Sequence, residues 1–330
     1  MNPSAPWPAG VRLIDVHHHF VPPFYLEENL DRLAASWGGA LSPPWFGWSP
    51  AASMEAMDRA GIERSILSIS SPGVWFGDLA ESRTLARRVN EHASRLRDDH
   101  PGCYGLFASI PLPDVEGSLK EIEHAFDVLE ADGIGLLTSY DGKWLGDDSY
   151  RSVFDELNRR KAVVFVHPTI PCCCRALMPA VRPVVTEIPQ DTSRAIANLL
   201  YTGTLSRCPG IRFIFTHAGG AMPITYGRMV QFAPKDLDRV APHGIDHEIR
   251  RLYYDIAASA YRPAVAALRS LVPTSQMLFG TDSPYAPAEL TIDGMRDLGF
   301  SGSELGAIGR TNALAILPRR DDSRRGSVMR

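Results

Sequence analysis

Eight short, apolar, β-rich runs recur along this chain, and helix-like segments separate them. The runs are Leu13–His17, Ser65–Ser70, Cys103–Ser109, Gly133–Thr138, Ala162–His167, Arg212–Thr216, Leu252–Ile256 and Met277–Gly280. Most are near-continuous hydrophobic stretches, the pattern of parallel strands buried on both faces. Between them, Asp78–Asp98 carries Leu85, Val89, Ala93 and Leu96 at helical spacing. Val115–Ala131, Tyr150–Arg160, Thr192–Thr204 and Pro263–Leu271 also read as helices. Strand followed by helix, repeated along the chain, predicts a closed (β/α)8 barrel of the TIM type. An open, doubly wound sheet uses the same alternation, so the placement of polar residues has to decide between them.

The 330 residues suffice for one barrel with a large core. Residues 1–317 read as a single barrel domain, and the polar tail Pro318–Arg330 reads as disordered. A net charge of −4 gives no basic stripe, so neither nucleic acid nor an anionic membrane is expected as a partner. No run of 18 uncharged apolar residues suggests a membrane span, and Met1–Gly10 lacks the pattern of a signal peptide. The cysteine count is odd and Cys172, Cys173 and Cys174 are adjacent, which makes a poor disulfide framework. A reducing cytoplasm is the expected setting, with the triplet read as structural. Two stretches break the repeat. Val21–Met54, with Trp37, Trp45, Phe46 and Trp48, reads as a loop insertion after strand one that covers the barrel mouth; Pro168–Ile188 reads as a loop after strand five.

Catalytic groups of such barrels stand at the C-terminal strand ends. Strand one ends in Asp15-Val16-His17-His18-His19. Alternate strand residues share a face, so His17 and His19 project inward together and His18 points outward. Strand five ends at His167, strand six runs into His217, and strand eight runs into Asp282. A lone histidine after a strand is more often structural. Four strand ends carrying donors toward one axis are a different matter, and they favour the barrel. His17, His19, His167 and Asp282 would offer three imidazoles and a carboxylate, a set suited to Zn²⁺ and compatible with Mn²⁺, Co²⁺ or Fe²⁺.

The segments Asp-Val-His-His-His-Phe-Val-Pro-Pro (15–23), Val-His-Pro-Thr (166–169), Thr-His-Ala-Gly-Gly (216–220) and Phe-Gly-Thr-Asp-Ser-Pro-Tyr (279–285) resemble the amidohydrolase superfamily. The likeness is to its aminocarboxymuconate-semialdehyde decarboxylase-like group, nearest in look to the branch acting on 6-methylsalicylate. The resemblance implies a homodimer and one divalent ion, zinc or in some members manganese, on His17, His19, His167 and Asp282, with no organic cofactor. It also implies a catalytic role near the metal for His217. Dinuclear members carry a lysine at the end of strand four, and Gly133–Ser139 contains none; Lys143 comes too late. The group's semialdehyde decarboxylase holds a substrate carboxylate with an arginine before strand two. Trp45–Met54 has no arginine, which moves the expected substrate from a muconate to an aromatic acid.

The expected reaction is therefore nonoxidative decarboxylation of a salicylate-type acid. Asp282 would protonate the carboxyl-bearing carbon, and His217 would polarise the substrate or activate a metal-bound water. Trp45, Trp48, Trp75, Phe20 and Tyr285 are the candidate ring contacts. Asp255 reads either as the group orienting His217 or another side chain, or as a buried salt bridge to Arg228. The alternatives are metal-dependent hydrolysis of a lactone or amide, and a metal-free binding protein on a barrel scaffold.

Overall fold

In the computed structural model, which describes residues 10–36, 44–174, 177–178 and 180–318, eight parallel strands follow one another in chain order. They are β1 (Leu13–His19), β2 (Ile62–Ser68), β3 (Tyr104–Ser109), β4 (Gly133–Leu137), β5 (Val163–His167), β6 (Arg212–Phe215), β7 (Tyr253–Asp255) and β8 (Met277–Leu278). Each pairs with the next. The sheet closes on itself where Val16 N–H donates to the Phe279 carbonyl (3.1 Å), His19 N–H to that of Ser283 (2.7 Å) and Asp282 N–H to that of His17 (2.9 Å). All eight expected strands form, and the open sheet is ruled out by this seam.

Alternation divides the strands between two cores. Ile14, Val16, Ile66, Phe107, Val163, Phe165, Ile214 and Leu278 fill the barrel, with Ala313 and Ile316 of the last helix and Leu317 just after it packed against them. Leu13, Leu67, Leu106, Ala108, Val164, Val166, Phe213 and Phe215 face the helices outside. The helix α4 (Leu79–Asp99) shows why these segments fold as they do. Asp78 caps it by accepting from Glu81 N–H at 2.8 Å, and its stripe of Leu85, Val89, Ala93 and Leu96 is buried.

The stretch expected to be a loop after strand one is largely helical. It holds α1 (Pro23–Ser36), α2 (Pro44–Gly47) and α3 (Pro50–Ala60). Pro23, Pro44 and Pro50 stand at the helix starts, where the missing N–H costs nothing and the fixed φ is already helical. Ser49 caps α3 by accepting from Ala52 N–H at 3.1 Å. The same signal brings forward the helix after β5, which runs Pro183–Tyr201 rather than from Thr192 and continues through Pro189. Trp37, and the tail beyond Pro318, lie outside the described residues.

Candidate metal centre

His17, His19, His167 and Asp282 converge at the C-terminal mouth of the barrel, each with one ligand atom, and these atoms lie within 4.8 Å of one another. His17 Nε2 is 3.0 Å from His19 Nε2, and both stand 3.2 Å from Asp282 Oδ1. The His167 ring lies 5.2 Å from that of His17 and 4.7 Å from that of His19, centre to centre.

The inward aim of His17 depends on a feature that strict alternation omits. Ile14 and Val16 already point into the barrel. Between Asp15 and His18, β1 spends three residues where β2 spends two, Ser65 to Leu67. This bulge resets the parity, so that His17 and His19 point inward above Val16. Gly280 makes room for it: a Cβ there would stand 2.7 Å from the His17 Cβ.

The other ring nitrogen of each histidine is engaged. His17 Nδ1–H donates to Asp255 Oδ2 at 3.1 Å, and His167 Nδ1–H donates to the Pro168 carbonyl at 2.8 Å. His19 Nδ1 faces the carbonyl and hydroxyl oxygens of Ser68 at 3.3 and 3.2 Å. These acceptors place the proton on Nδ1 and leave three Nε2 lone pairs directed at one point. Three nitrogen lone pairs and a carboxylate oxygen at such spacing repel unless a cation sits among them. The donor set thus fits a divalent ion, and zinc and manganese both accept such ligands.

Protonation carries the same message. Burial works against charging His17, but Asp255 and Asp282 outweigh it and hold its pKa up at about 10 in the metal-free site. Burial pushes His19 below the usual histidine value, and pushes His167 well below it with help from the neighbouring rings. Burial opposes ionisation of Asp282, yet His17 and the bonds from His17, His19 and His217 hold it well below the usual carboxylate range. A proton on His17 therefore occupies the cation's place. Metal uptake at pH 7 should expel about one proton, and apparent affinity should fall as pH is lowered, by up to about tenfold per unit. Calorimetric titration in two buffers of different ionisation enthalpy measures the proton count. A count of zero would show His17 to be neutral in the metal-free protein.

His217 stands beside this set. Its Nε2 is 3.5 Å from Asp282 Oδ2, and its backbone N–H donates to Asp255 Oδ1 at 3.2 Å. His217 and Asp282 both adopt left-handed backbone, with φ of 56° and 64°. Such strain persists only where the surroundings enforce it.

Asp255 is shared between His17 and the backbone of His217 and Ala257. Of the two readings of Asp255, orienting another side chain or bridging to Arg228, the first fits: Arg228 lies over the Phe232 ring, 5.0 Å from the centroid. The one oxygen of an Asp255→Asn amide cannot serve both sides. Either the amide N–H₂ faces the two backbone N–H groups, or it faces His17 Nδ1 and drives the ring proton onto Nε2. This substitution should weaken metal binding about 10–100-fold. Dialysis against a graded chelator reads it, and unchanged retention would remove Asp255 from the metal's support.

The aromatic candidates divide. The Tyr285 ring lies 5.6 Å from His19 and 6.2 Å from Trp45, forming a wall beside the metal ligands. Among the described residues, the buried Trp45 Nε1–H has no hydrogen-bond partner. Phe20 points the other way, stacking on His92 and meeting Trp48. Trp48 lines a separate cavity of about 350 Å³ with His18, Ser53, Met57, Thr281 and Pro284. Trp75 is half-buried on the loop after β2. His18 is buried between Asp15 and Ser53, a structural residue outside the ligand cluster. Lys143 is itself exposed, in a short hairpin after β4, and reaches Ser149. Cys173 and Cys174 are in contact at 3.2 Å, and all five thiols are free. Sequence reasoning missed Ser68 and the Pro168 carbonyl. Neither carried a signal, because each acts through its place at a strand end.

A family model described as Amidohydrolase matches residues 14–319. The chain is 34% identical to a decarboxylase of Aspergillus niger, over 93% of this chain and 87% of that protein. It is 36% identical to a 6-methylsalicylic acid decarboxylase of Penicillium expansum, over 83% of this chain and 85% of that one. Among solved structures, a 5-carboxyvanillate decarboxylase of Novosphingobium aromaticivorans, complexed with manganese, is similar in fold. It superposes with a TM-score of 0.84 at 20% identity, over 93% of this chain and 96% of that one.

Proposed function

The chain belongs to the amidohydrolase family, and from that premise we propose that it is a metal-dependent, nonoxidative decarboxylase of a salicylate-type aromatic acid. The observation that carries this reading is the pairing of Asp282 with both sides of the site. One carboxylate oxygen belongs to the ligand cluster, and the other faces His217. The decarboxylase relatives and the aromatic wall of Trp45 and Tyr285 support it.

A divalent ion bound to the four ligands would serve as Lewis acid and template for the substrate carboxylate and its ortho oxygen. With the ion on their Nε2 atoms, His17, His19 and His167 would be neutral, each keeping the Nδ1 proton that its own acceptor holds. Asp282 is ionised at neutral pH, so it first takes a proton, from the ortho hydroxyl. It then passes that proton to the carboxyl-bearing carbon. A C–H bond forms as the C–C bond to the carboxylate breaks. The bonding pair returns to the ring, aromaticity is restored and CO₂ leaves. His217 holds Asp282 Oδ2 and polarises the substrate. Trp45 and Tyr285 hold the ring.

Three nitrogens and one oxygen favour zinc as the resident ion, with manganese the alternative. A homodimer is expected from the family resemblance, and the exposed Val181, Val184 and Val185 beside the start of the helix Pro183–Tyr201 offer an apolar surface for it. The free thiols fit a reducing compartment. No helix among the described residues is long and apolar enough to cross a membrane.

Purified protein, loaded in turn with zinc and manganese, should release CO₂ from salicylate or a ring-substituted salicylate with no organic cofactor added. Opening of a lactone with no CO₂ from any aryl acid would establish the hydrolase instead. Failure of the pure protein to take up metal would leave only the binding-protein reading.

A further inference from the structure

The seam between β1 and β8 is held by a carboxylate that stands outside the metal cluster. Asp15 is fully buried. Its Oδ1 accepts from the backbone N–H of His17 and of Thr281, both at 3.0 Å. Its Oδ2 accepts from the Thr281 hydroxyl at 2.7 Å and from His18 Nδ1–H at 3.1 Å. Thr281 Oγ1 accepts in turn from Ser283 N–H at 3.0 Å. The residues on both sides of Asp282 are thus fastened to one group, and Asp282 N–H itself donates to the His17 carbonyl at 2.9 Å. On the far side, His18 Nε2 accepts from the Ser53 hydroxyl at 2.9 Å, which ties the clasp to α3 (Pro50–Ala60).

This arrangement does more than close a barrel. Asp282 holds a left-handed φ of 64°, a conformation that an aspartate keeps only when its neighbours over-determine it. The neighbours that do so here are Thr281 and Ser283, and both are set by Asp15. The same carboxylate fixes the His17 N–H at the bulge of β1. Two of the four ligand-bearing residues, from opposite ends of the chain, therefore take their position from one buried group. Buried acceptors with every direction filled are rigid, and rigidity next to a ligand lowers the cost of organising it when a cation arrives.

We propose that Asp15, acting through Thr281, is the positioning residue of the metal site: it sets the geometry of Asp282 and His17 and so determines how tightly the ion is held. The inference rests on the metal-dependent reading above. Its test separates positioning from mere support of the fold. Thr281→Val keeps the shape of the side chain but loses the hydroxyl that bridges Asp15 and Ser283; Thr281→Ser restores it. Zinc affinity is read by competition with a chromogenic chelator, and the thermal midpoint of each metal-free protein is read alongside. Thr281→Val should bind zinc about 10–100-fold more weakly than wild type, and Thr281→Ser should recover to within about threefold, while their metal-free midpoints stay together. Asp15→Asn, which also alters the His17 and His18 contacts, should lose at least as much affinity as Thr281→Val. Wild-type affinity in Thr281→Val overturns the proposal. So does a loss that follows the metal-free midpoint and is not recovered by serine. Wild-type protein that takes up no zinc or manganese overturns the metal-dependent reading itself, and the clasp falls with it.

Discussion

Asp282→Asn should cut CO₂ release by at least ~10³-fold, the scale on which removing a positioned proton carrier is felt. The substitution is nearly isosteric, and its amide oxygen can still be offered to the ion in place of Oδ1. What it cannot do is accept a proton from the substrate and return it to carbon. The native carboxylate can, because the charge and hydrogen bonds around it keep it ionised until the substrate arrives. The sign for pH follows. A carboxylate held well below its usual range remains a base down through mild acid, so its own titration should not limit activity there. Any fall in rate on mild acidification should come from protons competing with the metal at the histidines. Excess metal should therefore relieve it. The comparison must be made on variant protein assayed for metal, since Asp282 is also a ligand. A metal-loaded Asp282→Asn enzyme keeping more than a tenth of the native rate would exclude Asp282 as proton carrier and transfer that role to His217.

How much of this was readable from the chain depends on whether a residue's role is local. His167, His217 and Asp282 announce themselves because buried parallel strands are uniformly apolar, so a polar residue where the run stops is conspicuous. His17 and His19 were legible as a pair, since residues two apart share a face. The reason that face is the inner one was not legible. Val16 already points inward, and only the bulge beside Ser65–Leu67 of the neighbouring strand turns His17 the same way. Phe20 shows the same rule applied too loosely. It follows His19 directly, so alternation carries it outward onto His92. The helices α1 to α3 were hidden by their prolines, which mark helix starts as readily as loops. Asp255 was visible as a polar strand end. Its choice of His17 over Arg228 was not, because that contact joins residues 238 positions apart. Local chemistry is written in the order of residues, whereas partners across the barrel are decided by which strands the closure brings together.

His217→Asn should lower kcat by about 10²–10³-fold while leaving the metal in place. His217 differs from the other three imidazoles in the way its ring is held. Theirs are pinned at Nδ1 by Asp255, Ser68 and Pro168, with Nε2 aimed at the ligand point. Among the described residues, His217 Nδ1 has no partner, and its Nε2 faces the outer oxygen of Asp282. A ring anchored only through Asp282 is suited to steer that carboxylate and the substrate rather than to hold an ion. Asparagine is the right replacement, because residue 217 sits at φ 56°, and asparagine tolerates left-handed backbone better than glutamine or alanine. The backbone N–H bond to Asp255 should therefore survive, and with it the orientation of His17. Lost turnover with retained metal and little change in KM would identify His217 as acting in the chemical step. Lost metal would make it a fifth ligand, and a raised KM with unchanged kcat would reduce it to a substrate contact.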